Sequence, residues 1–162
     1  MVRYLRALAA GSGSEAEDIA QETFLRAHRA LGQFKGTSTF KTWLYQIATN
    51  AARTEIGKRR VDPLRQGPAV DPGAHEQAID RLEAPGNFEA AFVARDRVGR
   101  ALDTLSDDLR EAVVLRDIEG FEYRDIALAL GVPIGTVESR IFRGRQRLRT
   151  ALTTLAEGQA AS

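Results

Sequence analysis

The sequence predicts an all-α fold, two small helical domains joined by a flexible linker, the C-terminal one containing a helix-turn-helix. Three observations carry this. Apolar residues recur at helical spacing in nearly every periodic segment, and no segment alternates like a strand. Pro63, Pro68, Pro72 and Pro85 fall in one window with Gly67, Gly73 and Gly86, which breaks the periodicity there. The last third holds a short helix, a glycine-containing turn and a longer helix with a polar face. The expected boundaries are 1–60 for the first domain, 61–87 for the linker, with a helical turn near His75 to Leu82, and 88–155 for the second domain. Each domain is smaller than a single core stabilises comfortably, so modest stability is expected.

The elements follow in order. Ser14 and Glu17 are spaced as a capping box. Behind them Ala16, Ile19, Ala20, Phe24, Ala27 and Leu31 lie at helical spacing, and Gly32 is placed to end the helix in a left-handed cap. Phe40, Trp43, Leu44, Ile47, Ala48 and Ala51 define the apolar stripe of a second helix, with Trp43 turned inward. Its polar face holds Lys41, Thr42, Tyr45, Gln46, Thr49, Asn50 and Arg53. Beyond the linker, Phe88, Ala91, Phe92, Val98, Leu102 and Leu105 resume the pattern. Ser106 is an N-cap for a helix with Leu109, Ala112, Val113 and Ile118 inward, closed by Gly120. Tyr123 to Leu130 is a short helix ended by Gly131. The last helix starts near Thr136, with Val137, Ile141, Gly144, Leu148 and Leu152 inward.

Composition narrows the function. The 162 residues contain no cysteine, which excludes disulfides, thiol catalysis and cysteine-based zinc sites. No apolar run reaches the roughly 18 residues that span a bilayer, and the start lacks the pattern of a signal peptide. The only histidines are His28 and His75, and neither a phosphate loop nor a nucleophile elbow occurs, so no enzyme, metal or cofactor is expected. Net charge is only +1, but its distribution is uneven. Glu15, Glu17, Asp18 and Glu22 form an acidic stretch, while Arg140, Arg143, Arg145, Arg147 and Arg149 crowd the last helix and Lys58, Arg59 and Arg60 form a second basic knot. Separate acidic and basic surfaces suggest separate partners. The acids also lie where a helix dipole favours them.

Tyr123 to Phe142 has the layout of a DNA-reading helix-turn-helix, whose second helix enters the major groove. That helix presents Glu138, Ser139, Arg140, Phe142 and Arg143 in its first turns. Arg145, Arg147 and Arg149 can follow the phosphates.

Four segments carry a family resemblance. Asp18 to Ala27 (DIAQETFLRA) resembles region 2.2 of the extracytoplasmic-function (ECF) sigma factors of bacterial RNA polymerase. Phe40 to Asn50 (FKTWLYQIATN) resembles regions 2.3 and 2.4. Leu105 to Ala112 (LSDDLREA) resembles the start of region 4, and Gly135 to Arg145 (GTVESRIFRGR) the region 4.2 recognition helix. The likeness covers about Tyr4 to Leu152, in the family's order. It implies a sigma factor that binds polymerase core and directs promoter recognition, DNA melting and initiation for a stress- or signal-responsive regulon.

The resemblance also implies sites and partners. Asp18, Gln21, Glu22, Phe24 and Arg26 would bind the clamp helices of the largest polymerase subunit, with the flap of the second-largest subunit as another contact. Lys35, Ser38, Thr39, Lys41, Asn50 and Arg53 would hold the opened minus-ten strand, with Asn50 at a pocket for a flipped base. Tyr123, Thr136, Glu138, Ser139, Arg140, Phe142, Arg143 and Arg147 would contact the minus-thirty-five element. An anti-sigma factor is an implied partner, and a cytoplasmic location, with possible tethering at the membrane through that partner, is implied too. Two departures stand out: relatives carry a further helix before Tyr4, and Glu138 sits where many carry a basic or neutral residue. No long C-terminal extension suggests a fused sensor. A stand-alone helix-turn-helix regulator is the alternative, but it leaves Asp18 to Asn50 without a role.

Overall fold

The computed structural model describes residues 1–9, 13–61 and 88–160. Val61, the first residue of the expected linker, closes α3, while the rest of that linker, its helical turn and residues 10–12 lie outside the described residues. All regular structure among them is helical: α1 (Val2–Ala9), α2 (Gly13–Ala30), a 3₁₀ turn (Leu31–Gln33), α3 (Phe40–Val61), α4 (Phe88–Asp103), α5 (Asp107–Val113), a π-helical turn (Val114–Ile118), α6 (Tyr123–Leu130) and α7 (Ile134–Ala160).

The elements begin and end for local reasons. Thr39 caps α3, its Oγ1 accepting from the Thr42 amide at 3.0 Å. Ser106 stands at the start of α5 with extended backbone, but its carbonyl rather than its hydroxyl accepts the first helical bonds, from the Leu109 and Arg110 amides. Gly131 ends α6 at φ 67°, ψ 38°, a left-handed conformation that glycine adopts without a Cβ penalty. The left-handed cap expected at Gly32 does not form. The chain leaves α2 through the 3₁₀ turn, and the positive φ falls at Gly36 instead. α2 begins at Gly13, so Ser14, expected as its cap, lies within the helix, and Glu17 accepts from Arg6 Nη2 at 3.1 Å.

The inward faces of α6 and α7 are as the periodicity predicts: Ile126, Leu130, Val137 and Ile141 are fully or nearly fully buried. Gly144 is buried where α7 crosses α5; a Cβ there would stand 2.5 Å from Val113 Cγ2. On α2 the buried stripe is Ala16, Ile19, Ala20, Thr23 and Ala27. Phe24 and Leu31 do not belong to it and are more than half exposed. Thr23 takes the inward place because its hydroxyl bonds the Ile19 carbonyl at 2.7 Å, which makes it acceptable in a core.

One expectation fails. The stripe of α3 led by Phe40 is not its most buried face. Phe40 is 49% exposed, and Trp43 is half-buried in an aromatic cluster with Phe34 and Phe40, centroids 5.2–5.8 Å apart. Thr42, Tyr45 and Thr49, assigned to the polar face, are buried. The two halves share one apolar cluster. Tyr4, Leu5 and Leu8 of α1 join one apolar cluster with Ala48 and Ala52 of α3 and with Leu102, Leu105, Leu109, Leu115, Phe121 and Ile126 of the second half. Rings continue across the junction, with Tyr4 to Tyr45 at 5.3 Å and Tyr45 to Phe121 at 4.8 Å. Pooling two undersized cores increases the apolar area removed from water, which is the dominant favourable force in folding.

Candidate nucleic-acid and protein interfaces

The outer face of α2 presents Asp18, Gln21, Phe24 and Leu25 to solvent. Glu22 accepts from Arg26 Nε at 2.6 Å, an i,i+4 pair that holds its carboxyl below the usual range. Acid beside exposed aromatic and aliphatic surface is the composition of a protein-docking face. Of the five core-binding candidates, the structure brings all five to one helix, with Glu22 and Arg26 paired to each other.

Minus-ten candidates divide into two groups. Lys35, Thr39 and Asn50 are exposed, and Ser38 only donates weakly to the Thr39 carbonyl at 3.3 Å. Lys41 and Arg53, by contrast, are engaged by the second half. Lys41 Nζ donates to the Glu119 carbonyl at 3.2 Å and lies 4.3 Å from the Phe121 ring centroid. Arg53 grips Glu111 with Nε and Nη2 at 2.9 and 2.6 Å, a two-pronged charge-assisted contact, and reaches the Leu130 carbonyl with Nη1 at 3.3 Å. Burial pushes the Glu111 carboxyl up, with the Arg53 bonds opposing it, while Glu111 holds the Arg53 guanidinium above its ordinary value.

Glu119 lies just past the π-helical turn and is the centre of the junction. Its Oε1 accepts from Arg3 Nε at 3.0 Å and its Oε2 from the Tyr45 hydroxyl at 2.6 Å, while Arg3 Nη2 donates to the Ile118 carbonyl at 2.9 Å. Burial raises the Glu119 carboxyl, but the bonds from Tyr45 and Arg3 and the nearby N-terminal amine outweigh it, and the net direction is down. Beside it a hydroxyl relay crosses the same junction. Thr42 donates to Asp125 Oδ1 at 3.0 Å, so Thr39 is the donor in the 2.8 Å contact between the two threonine hydroxyls. Arg3, Glu111, Glu119 and Asp125 were not singled out by the sequence; nothing in the surrounding segment distinguishes each from its charged neighbours, and only its partner from the other half makes it significant.

The helix-turn-helix is formed by α6 and α7. Thr136 and Val137 amides bond the Pro133 carbonyl at 2.9 and 3.2 Å, so α7 starts at the turn, two residues before the predicted start. Glu138, Ser139, Phe142, Arg143 and Arg147 are exposed, with Phe142 at 68%. Tyr123 and Thr136 are half-buried. Arg140 does not project freely; its Nη2 donates to Asp108 Oδ2 at 2.8 Å. Arg145 forks onto Asp117, with Nε at 3.0 Å. Glu138 pairs with neither neighbouring arginine: Arg140 turns to Asp108, and Arg143 Nε donates to the Ser139 carbonyl. Glu138 instead lines an open cleft with Tyr123, Phe142, Arg145, Gln146 and Arg149. Among the described residues no cluster of histidine and acid could hold a metal ion, and no helix is long and apolar enough to cross a membrane.

A helical half with an acidic-apolar docking face, followed by a half with a basic helix-turn-helix, is the plan of a transcription-initiation specificity factor. Known proteins agree. Residues 1–61 match the family model for sigma-70 region 2, and residues 95–148 that for sigma-70 region 4. The chain is 40% identical over 144 residues to the RNA polymerase sigma-H factor of Pseudomonas aeruginosa, covering 87% of this chain and 75% of that one. It is 38% identical over 134 residues to the ECF RNA polymerase sigma-E factor of Escherichia coli, covering 81% and 70%. Two solved structures share the fold: the sigma factor RpoE in complex with the anti-sigma factor NepR from Bartonella quintana (TM-score 0.71, 28% identity, 94% of this chain and 89% of that one) and CnrH in complex with the cytosolic domain of CnrY (TM-score 0.64, 25% identity, 94% and 80%). The chain belongs to the ECF family of RNA polymerase sigma factors, and its function is promoter-specific initiation of transcription. The family acts by binding, not by catalysis.

Proposed function

We propose a division of labour along the chain, with 1–60 binding core polymerase and the minus-ten strand, 61–87 as linker, and 88–155 binding the minus-thirty-five duplex. The observation that carries it is the separation of two unlike exposed faces: Asp18, Gln21, Phe24 and Leu25 on α2, and Ser139, Phe142, Arg143 and Arg147 on α7. Acid and apolar surface suits a protein partner, and arginine without interspersed acid suits phosphate. Glu22 and Arg26 complete the first set. Lys35, Ser38, Thr39, Lys41, Asn50 and Arg53 serve the opened strand, with Asn50 exposed on α3 where a flipped base can reach it. Tyr123, Thr136, Glu138 and Arg140 complete the duplex set. The protein acts in the bacterial cytoplasm for a stress- or signal-responsive regulon, and an anti-sigma factor of the kind bound by the two structural neighbours restrains it, at the membrane where that partner is anchored there.

Run-off transcription with core polymerase on a promoter library tests the whole assignment. Asp18→Lys with Glu22→Lys is expected to abolish co-purification with core while the helical circular dichroism stays. Unchanged co-purification overturns the α2 assignment. Asn50→Ala is expected to cut transcription from duplex promoters and to matter less on templates carrying a pre-melted bubble. Equal loss on both would make Asn50 a folding residue.

A further inference from the structure

We propose that Asp117 is an internal counter-ion of the duplex-binding face: it holds Arg145 out of phosphate binding, so that sequence-independent attraction carries less of the hold on DNA. This role rests on the assignment of α7 to the duplex made above; the ion pair stands on geometry alone.

From Arg140 to Arg149 the sequence of α7 holds five arginines and no acid, which by itself reads as an unbroken strip for phosphate. The fold breaks it from another element. Arg145 forks onto Asp117 of the π-helical turn, with Nε on Oδ2 at 3.0 Å and Nη2 on Oδ1, so both carboxylate oxygens are used. Arg140 holds an acid too, Asp108, but its side chain is only 14% exposed, whereas that of Arg145 is 49% exposed. Arg143, Arg147 and Arg149 are exposed and enter no ion pair among the described residues. Arg145 is thus a solvent-facing cation of the strip whose charge the fold cancels.

The helical register puts this pair on the face assigned to DNA. Glu138, Phe142, Arg145 and Arg149 recur at i, i+4, i+7 and i+11 and line one open cleft with Tyr123 of α6. To take a phosphate, Arg145 must leave the fork, which exchanges one anion for another and turns an unpaired Asp117 carboxylate toward the phosphates. With the fork intact, the pair meets DNA without net charge and releases no counter-ion. Either way Arg145 adds little to binding. Ser139, Phe142 and Arg143, exposed in the first turns of α7, keep their access to base edges. An exposed ion pair adds little to stability, so the charge of Asp117 is removable without loss of the fold.

The test uses the full chain and labelled duplexes of random sequence, titrated between 50 and 200 mM salt. Asp117→Asn keeps the shape and removes the charge. It is expected to tighten binding and to steepen the salt slope of log affinity by about 0.9, so that the loss of affinity across that fourfold range grows by about 3.5-fold. Promoter and random duplexes should gain by similar factors, at unchanged helical circular dichroism. Arg145→Ala is expected to leave the slope unchanged in the wild-type background and to remove the gain in the Asp117→Asn background. Asp117→Glu, which keeps the charge, should keep the wild-type slope. An Asp117→Asn slope equal to that of wild type overturns the counter-ion role. So does a loss of about 0.9 on Arg145→Ala in wild type, which would mean that Arg145 already takes a phosphate, and this arm reads the point even if Asp117→Asn fails to fold. A changed preference at one base position in Asp117→Asn also overturns it, since Asp117 would then be positioning a reader. Failure of the α7 assignment is read separately, from Arg147→Ala, which lowers the slope only if α7 meets the duplex.

Discussion

Glu119 carries two hydrogen bonds and faces Arg3, Tyr45, Lys41 and the N-terminal amine, and its carboxyl is held below the ordinary value of 4.5. A depressed folded-state pKa means that its contribution to stability is complete above the unfolded value and is lost as pH falls through the folded one. Urea unfolding between pH 6 and about 3 is therefore expected to show a loss of stability in the wild type that is shallower in Glu119→Gln. Equal slopes would mean that the carboxylate contributes nothing to the fold. Gly144 is a second residue whose identity is dictated by its neighbour. The missing Cβ leaves room for Val113 Cγ2, whose β-branched side chain has little freedom to retreat. Gly144→Ala is expected to cost about 1–3 kcal/mol by overpacking. Val113→Ala, destabilising alone, should recover much of that loss in the double variant, as read by chemical denaturation.

Among the elements, the turn between α4 and α5 is organised by one buried cation. Arg110 donates to the carbonyls of Leu102, Asp103 and Leu105 at 2.9, 3.2 and 2.9 Å, and to Leu8 of α1 at 3.4 Å. Those carbonyls lie at the ends of α4 and α1 and in the turn that follows α4, and the Leu102 carbonyl also accepts the Leu105 amide at 3.1 Å. Arg110→Met keeps the volume and removes the donors, and each buried acceptor left unsatisfied costs about 1–3 kcal/mol. The variant is expected to unfold at lower denaturant than wild type by at least one such increment. The recognition helix makes a different demand. Arg147 is exposed, beyond the first turns of α7, and suited to phosphate. Arg147→Ala is expected to weaken duplex binding by similar factors for all sequences and to reduce the salt slope of log affinity by about 0.9. A change in preference at one base position would make Arg147 a reader instead. Glu138 tests the opposite case: Glu138→Arg is expected to shift the preferred base at one position, worth about 1–3 kcal/mol, and an unchanged profile on a randomised duplex library would retire that role.

At the scale of the whole molecule, the closed body joins what the sequence presents as two units. Helical periodicity, the glycine at the α6 cap and the basic face of α7 were all legible, because each depends on residues within a turn or two of one another. So were the family and the order of its regions, since those rest on local motifs. The inward faces of α6 and α7 followed for the same reason. The sequence by itself thus determined the helices, the helix-turn-helix and the class of partner. It did not determine which side of α3 is covered. A period of 3.6 reports a polar stripe, and a polar stripe facing Glu111, Glu119 and Asp125 has the same pattern as one facing water. Phe24 and Leu31 mislead in the opposite sense, since apolar residues at the border of a stripe are buried or exposed according to what docks beside them. Only the tertiary structure decided these points, because pairing across some 60 to 120 positions of chain is a matter of geometry: a carboxylate and a guanidinium become one contact when packing brings them to hydrogen-bonding distance, and nothing in either segment alone records that it will.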